Sequence, residues 1–228
     1  MKINRKIFFT FFLLIFGVSV SFSQERKVLP VDEGNTDASF SAFREKTLEA
    51  AKRRDVKYIL SILDPRIKNS FGGNDGINEF KTMWRINSPK SEFWDEFIKV
   101  LSNGGTFDKE SGAKTKLFMA PYTFTGFPDD LDVYDYQAIF GNNVNLRSKP
   151  DVNAPVVARL SYDIVKIDFK NSVPDKIKEG EHSWLKVETF DGKKGFVKAE
   201  FVRGSTDFRA LFEKKNGVWK MTAFIAGD

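Results

Sequence analysis

The hydrophobic pattern of this chain changes period near Gln137, and that change limits the possible folds more than any other feature. Before it, apolar residues recur at spacings of three and four, as along one face of a helix; after it they alternate, as on the two faces of a strand. The strand candidates are Gln137–Phe140, Val144–Leu146, Val156–Leu160, Ile164–Phe169, Trp184–Thr189, Gly195–Lys198, Phe208–Lys215 and Val218–Ala226. Asn216-Gly217 separates the last two. Both residue types tolerate positive φ, which makes this the strongest short-range hairpin signal.

Upstream, helices are expected after Asp37 and after Asp55, whose carboxylates can accept from the free N–H groups of a first turn. Phe40, Phe43, Leu48 and Ala51 share one face of the first helix. Val56, Ile59, Leu60, Ile62 and Leu63 line the second, which stops at Asp64-Pro65 because the residue before proline is pushed out of helical geometry. A strand over Ile67–Phe71 and a tight turn at Gly72–Gly76 lead to a third helix carrying Ile77, Phe80, Met83 and Trp84. That turn lacks the lysine of a phosphate-binding loop. A fourth helix, with Phe93, Trp94, Phe97, Ile98 and Leu101 inward, follows Asn87-Ser88-Pro89 and ends at Asn103-Gly104-Gly105. Residues 106–136 read as mixed, with short strands at Leu117–Met119 and Tyr122–Phe124.

The first residues read as an export leader. Lys2, Arg5 and Lys6 precede an apolar run from Ile7 to Val18, and Ser21 and Ser23 are suitably placed for cleavage before Gln24. The run is about twelve residues long, short of the roughly twenty that span a bilayer core, and no second one follows. The expectation is an exported chain, in the periplasm or cell envelope, with no transmembrane segment after cleavage. It has no cysteine, hence no disulfide and no site for a lipid, so burial must hold the fold; 24 Phe and four Trp are available for it. Of 36 basic residues three lie in the leader, leaving 33 against 31 acidic, a net charge of +2 instead of +5. The remaining charges are interspersed, which argues against a nucleic-acid partner.

Residues 141–202 resemble a bacterial SH3 domain. The matching stretch runs through Val144-Asn145-Leu146-Arg147-Ser148, Pro150, Ala154-Pro155-Val156-Val157, Leu160 and Ile164-Val165. It continues with Trp184-Leu185-Lys186-Val187, Asp191-Gly192, Gly195-Phe196-Val197 and Phe201-Val202. The family usually has glycine where Lys149 stands and in the turn occupied by Tyr162-Asp163, and the charged loop from Lys170 to His182 is longer than usual. The whole chain also resembles a group of exported proteins that carry this module in the middle. The features are Ser70-Phe71-Gly72-Gly73, Phe80–Trp84 and the ending from Phe208 to Asp228. The resemblance implies a small β-barrel and, as a function, recognition of cell-wall peptide or glycan. The expected class is therefore α+β. It comprises a leader (1–23), a flexible tether (24–36), an α-rich domain with a mixed connector (37–136), an SH3-like barrel (137–203) and a C-terminal hairpin (204–228). The hairpin carries Leu211, Phe212, Trp219, Met221, Phe224 and Ile225, more apolar surface than it can leave in water, so it is expected to pack back on the helical domain.

Catalytic chemistry has little to draw on. Cysteine chemistry and thiolate or multi-histidine zinc sites are excluded, His182 is the single histidine, and no Gly-x-Ser-x-Gly elbow accompanies it. Asp129, Asp130, Asp132 and Asp135 cluster, but their spacing fits no EF-hand loop, and a solvated connector explains them. The other acids lie beside lysines and arginines, where ordinary ionisation is expected. The predicted function is thus non-catalytic binding, without cofactor or metal, to peptidoglycan or an envelope protein; the alternative is a carboxylate-dependent wall hydrolase. Tyr162, Trp184 and Phe196 are the candidate ligand-facing residues. In a barrel of this size most aromatics are core, so each is equally readable as packing.

Overall fold

A computed structural model describes residues 26–109 and 116–227. The leader and its cleavage point before Gln24 lie outside the described residues. No helix among the described residues is long and apolar enough to cross a membrane.

The N-terminal part holds α1 (Ala38–Lys52), α2 (Val56–Ile62), α3 (Ile77–Trp84), α4 (Phe93–Leu101) and the single turn α5 (Tyr122–Thr125). Interleaved with them are β1 (Leu63–Lys68), β2 (Thr106–Phe107) and β3 (Leu117–Ala120). Then come β4 (Tyr136–Ile139), β5 (Val144–Arg147), β6 (Val156–Leu160), β7 (Ile164–Pro174), β8 (His182–Thr189), β9 (Lys194–Lys198) and β10 (Val202–Arg203). The chain closes with β11 (Arg209–Lys215) and β12 (Val218–Ile225).

The caps are where the sequence puts them. Asp37 accepts from the Ser39 and Phe40 N–H groups at 2.9 and 3.0 Å, and Asp55 accepts from Tyr58 N–H at 2.9 Å. Three boundaries differ. β1 begins at Leu63, four residues before the expected strand, and takes in Pro65; as an edge strand it tolerates the missing donor. Residues 122–125, rich in β-forming types, make a turn of helix between Pro121 and Gly126. The expected fourth helix starts only at Phe93.

Strands β1, β12, β11, β3 and β2, in that order, form a five-stranded sheet; the β1–β12 pair is parallel and the others antiparallel. The C-terminal hairpin therefore does more than pack back on the helices: it supplies two of the sheet's three inner strands. Asn216 and Gly217, at φ 49 and 82°, make its turn. The region expected to be simply α-rich is a helical body built on this sheet. Its core is aromatic. Phe40 packs on Phe118 and Trp219 with ring centres 4.1 and 4.9 Å apart, and Phe224 meets Trp84, Phe208, Phe93 and Phe97 at 5.2–5.5 Å.

The other seven strands, in the order β10-β4-β7-β8-β9-β5-β6, curl into an antiparallel, SH3-like half-barrel. Its core is aliphatic: Ile139, Val144, Leu146, Leu160, Val165, Ile167, Leu185, Val187, Val197 and Val202. Gly195 is required where β9 crosses β5, since a Cβ there would lie 2.5 Å from the Arg147 carbonyl oxygen. The stretch expected to be a long loop from Lys170 is partly strand: β7 continues to Pro174, which pairs with His182.

Residues 26–33, expected to be a flexible tether, instead form a strap across both regions. Val28 is buried, its N–H donates to Tyr162 O at 2.9 Å, and Ile164 N–H donates to Arg26 O at 2.7 Å. Further on, Gly105 N–H donates to Val31 O and Glu33 N–H to Gly105 O, at 2.8 and 2.9 Å. Sequence reading missed the strap because a polar stretch with one buried valine has no periodicity, and its partners lie far away in sequence.

Candidate functional site

Strands β8, β9 and β5 alternate, and the alternation sorts their side chains. Leu185, Val187, Val197, Val144 and Leu146 point into the barrel core. Trp184, Lys186, Phe196, Lys198, Asn145 and Arg147 therefore point the other way. Register brings them together: Trp184 is opposite Lys198, Lys186 opposite Phe196, and Phe196 opposite Arg147. Lys186 Nζ stands 5.1 Å from the centre of the Phe196 ring. Arg147 is oriented by a 2.7 Å hydrogen bond from Nη1 to Ala154 O.

Beside this row lies a groove of about 260 Å³, lined by Trp184, Lys198, Arg147, Asn143, Val152 and Phe201 among others. Trp184 forms part of its apolar wall and Phe201 is 40 % exposed. Cations and side-chain amides border the apolar part, a combination that suits a ligand with carbonyl, carboxylate or hydroxyl oxygens and one flat apolar face.

Of the candidate residues, Trp184 and Phe196 thus share one outward face. Tyr162 is elsewhere. It stands in the left-handed region, φ 61°, at the turn where glycine is usual, a conformation that costs a non-glycine residue roughly 1 kcal/mol. Its carbonyl receives the strap, and its ring meets Tyr122 edge-on at 6.5 Å. Tyr162 belongs to the seam between barrel and body, where it borders a separate groove with Tyr122, Phe140 and Pro30. The expectation that barrel aromatics pack holds for Tyr162, which lies with Tyr136, Phe140 and Phe190 against a small core of Val28, Tyr122, Ala138 and Ile164; the main barrel cluster is aliphatic.

The acidic connector is engaged internally. Asp130 is held by Arg26 at 2.6 Å, Asp135 faces Lys166 at 3.3 Å, and Asp132 accepts from Tyr134 N–H at 2.8 Å. Not every acid has an ordinary environment, as composition alone suggests. Asp207 is half-buried where β10 leads to β11, and its partial removal from water raises its carboxyl above the usual range. Arg203, 2 % exposed, donates from Nη2 to Glu96 at 2.8 Å and to Phe208 O at 2.5 Å. Lys99, in the same neighbourhood, is lowered by burial first and by Arg203 second. Sequence reading missed this cluster because Glu96 and Lys99 look like the polar edge of an amphipathic helix.

The curled antiparallel barrel thus carries a half-buried aromatic and cationic row on its outer face. Residues 142–203 match the family model of the bacterial SH3 domain, so the row and its groove fall inside the matched region. No curated protein matches the chain.

Proposed function

We propose that this chain is an exported, non-catalytic binding module of the cell envelope, and that the Trp184–Phe196 face takes up cell-wall peptide or glycan. The carrying observation is the register that sets Trp184 against Lys198 and Phe196 between Lys186 and Arg147, outside an aliphatic core. Bacterial SH3 domains often bind peptidoglycan, which offers acetamido and carboxylate oxygens together with the apolar faces of sugar rings.

The test is to incubate the chain from Gln24 onward with purified cell wall, scoring both retention and release of soluble fragments. Retention without release is expected, and Trp184→Ala and Phe196→Ala each weaken retention about tenfold, the effect of a central aromatic contact. A chain that washes off the wall, or is retained equally after both substitutions, overturns the reading. Export is checked separately: protein from the envelope fraction should have the intact mass of a chain that begins at Gln24.

One observation favours a second reading, the carboxylate-dependent hydrolase. Asp207 is raised by burial while nearby Glu96 is held by Arg203, a separation of environments of the kind an acid–base pair needs. Fragment release that disappears in Asp207→Asn would establish it in place of binding alone.

A further inference from the structure

A cleft of about 700 Å³ lies between helical body and barrel rather than on the barrel's outer face. Its walls come from four places: α4 with Asp95, Glu96 and Lys99; the barrel turn with Lys178 and Glu181; β8 with His182; and the β10–β11 link with Arg203, Asp207 and Phe208. Trp84 and Phe208 form an aromatic side of it, and both also border an adjoining groove of about 250 Å³. The cleft therefore runs on past the Trp84 ring.

Charge in the cleft is unbalanced. Lys178 is tied across the two regions to Glu92 at 3.1 Å and to Glu181 at 3.5 Å, and Arg203 is tied to Glu96. With those pairs set aside, Asp95 and Asp207 are left with one lysine, Lys99, and Asp207 also accepts from Gly204 N–H at 3.0 Å. Among the described residues no ion pair holds Asp95, which is exposed at the rim. Two residues lining the cleft carry buried donors with no partner among the described residues: Trp84, 9 % exposed, at its indole N–H, and Arg203 at its Nε–H. A buried donor without an acceptor is destabilising, so both would gain from an incoming oxygen.

From this geometry we infer that the cleft is a second binding site, separate from the Trp184–Phe196 face, for a peptide segment carrying a free ammonium group. The ammonium is taken by Asp95 and Asp207 against the Trp84 and Phe208 rings, and peptide carbonyls meet the indole and guanidinium donors. The outer barrel face, lined by Arg147, Lys186 and Lys198, has the opposite preference. The two sites thus read opposite charges on a ligand, and this one does not depend on wall binding by the other.

Titration of the chain from Gln24 onward with acetyl-Ala-Lys-Ala-amide tests the site. The probe is compared with the same peptide acetylated on its lysine. The four tryptophans give four indole N–H resonances to follow. The Trp84 resonance should move and saturate with the free-amine peptide, while that of Trp184 stays still. Lysine acetylation, Asp95→Asn and Asp207→Asn should each weaken binding about tenfold, the scale of one charge-assisted contact. Trp184→Ala should leave the titration unchanged. Asp95 is exposed, so its substitution keeps the test sound even if Asp207→Asn disturbs folding. The inference fails if no indole resonance moves up to about 10 mM peptide. It fails equally if both peptides shift Trp84 alike, or if Trp184 responds in its place.

Discussion

In the helical body, Phe and Trp fill the interior; in the barrel, Ile, Val and Leu fill it and the aromatics lie outside. The contrast follows from geometry. Helices on a sheet leave a wide gap that large rings bridge, and Phe40, Phe118 and Trp219 do so from three elements at once. A curled half-barrel has a narrow interior that branched aliphatics fill without strain. Rings on its strands must then point outward, as Trp184 and Phe196 do, each half-buried. An outward aromatic in such a barrel is thus the ordinary consequence of a core too small for it.

Removal of the hairpin should separate the two regions by the widest margin. Deletion of residues 204–228 takes away β11 and β12, the strands that join β1 to β3. Hydrogen exchange over residues 37–103 should lose its protection, while β5 to β9 keep theirs. Unchanged exchange in residues 37–103 would show that the helical body stands without its sheet.

A smaller effect comes from single truncations in the two cores. Phe224→Ala removes a ring in contact with four others and should cost about 3–5 kcal/mol, whereas Val187→Ala in the barrel should cost about 2 kcal/mol. Urea unfolding followed by Trp fluorescence measures both. A barrel truncation costing as much as the body truncation would erase the distinction drawn here.

The smallest effects are electrostatic and of opposite sign. Lys116 and the first-turn donors hold the Asp37 carboxyl well below its ordinary value. Its contribution is present above the unfolded-state value and is lost as pH falls through the folded one. Asp37→Ala should cost about 1 kcal/mol near neutrality, and Asp37→Asn, which can still cap, should flatten the acid limb of the stability curve. Asp207 is raised, so its contribution is present below the unfolded-state value and is lost as pH rises through the folded one. Asp207→Asn should remove that loss. Melting temperatures between about pH 3 and pH 7 separate the two, and a shared direction would refute the assignment.

The barrel was legible because alternation is local: each strand candidate from Gln137 to Lys198 overlaps an observed strand, and Asn216-Gly217 marks its turn wherever the hairpin docks. The caps at Asp37 and Asp55 were legible for the same reason. The parallel pairing of Leu63 with Met221 was not, since nothing near either residue specifies a partner so far away in sequence. Tyr122–Thr125 shows local propensity overridden by its setting. At the site, Trp184 and Phe196 carried a signal in their strand parity, whereas the cleft formed by Asp95, Asp207 and Trp84 exists only once the two regions meet.

The placement of β11 and β12 also has a consequence for synthesis. The barrel strands pair among themselves, so that sheet has all its strands once Arg203 has been made. The body does not: β1 pairs only with β12, and Phe118 and Phe40 wait for Phe212 and Trp219. A ribosome therefore delivers the helices first and the strands that complete their sheet last. The middle of the chain can close while the earlier half still exposes its rings, an order that makes non-local pairing the slow step. Any export route that threads unfolded polypeptide would find the first half of this chain in a form it can still accept.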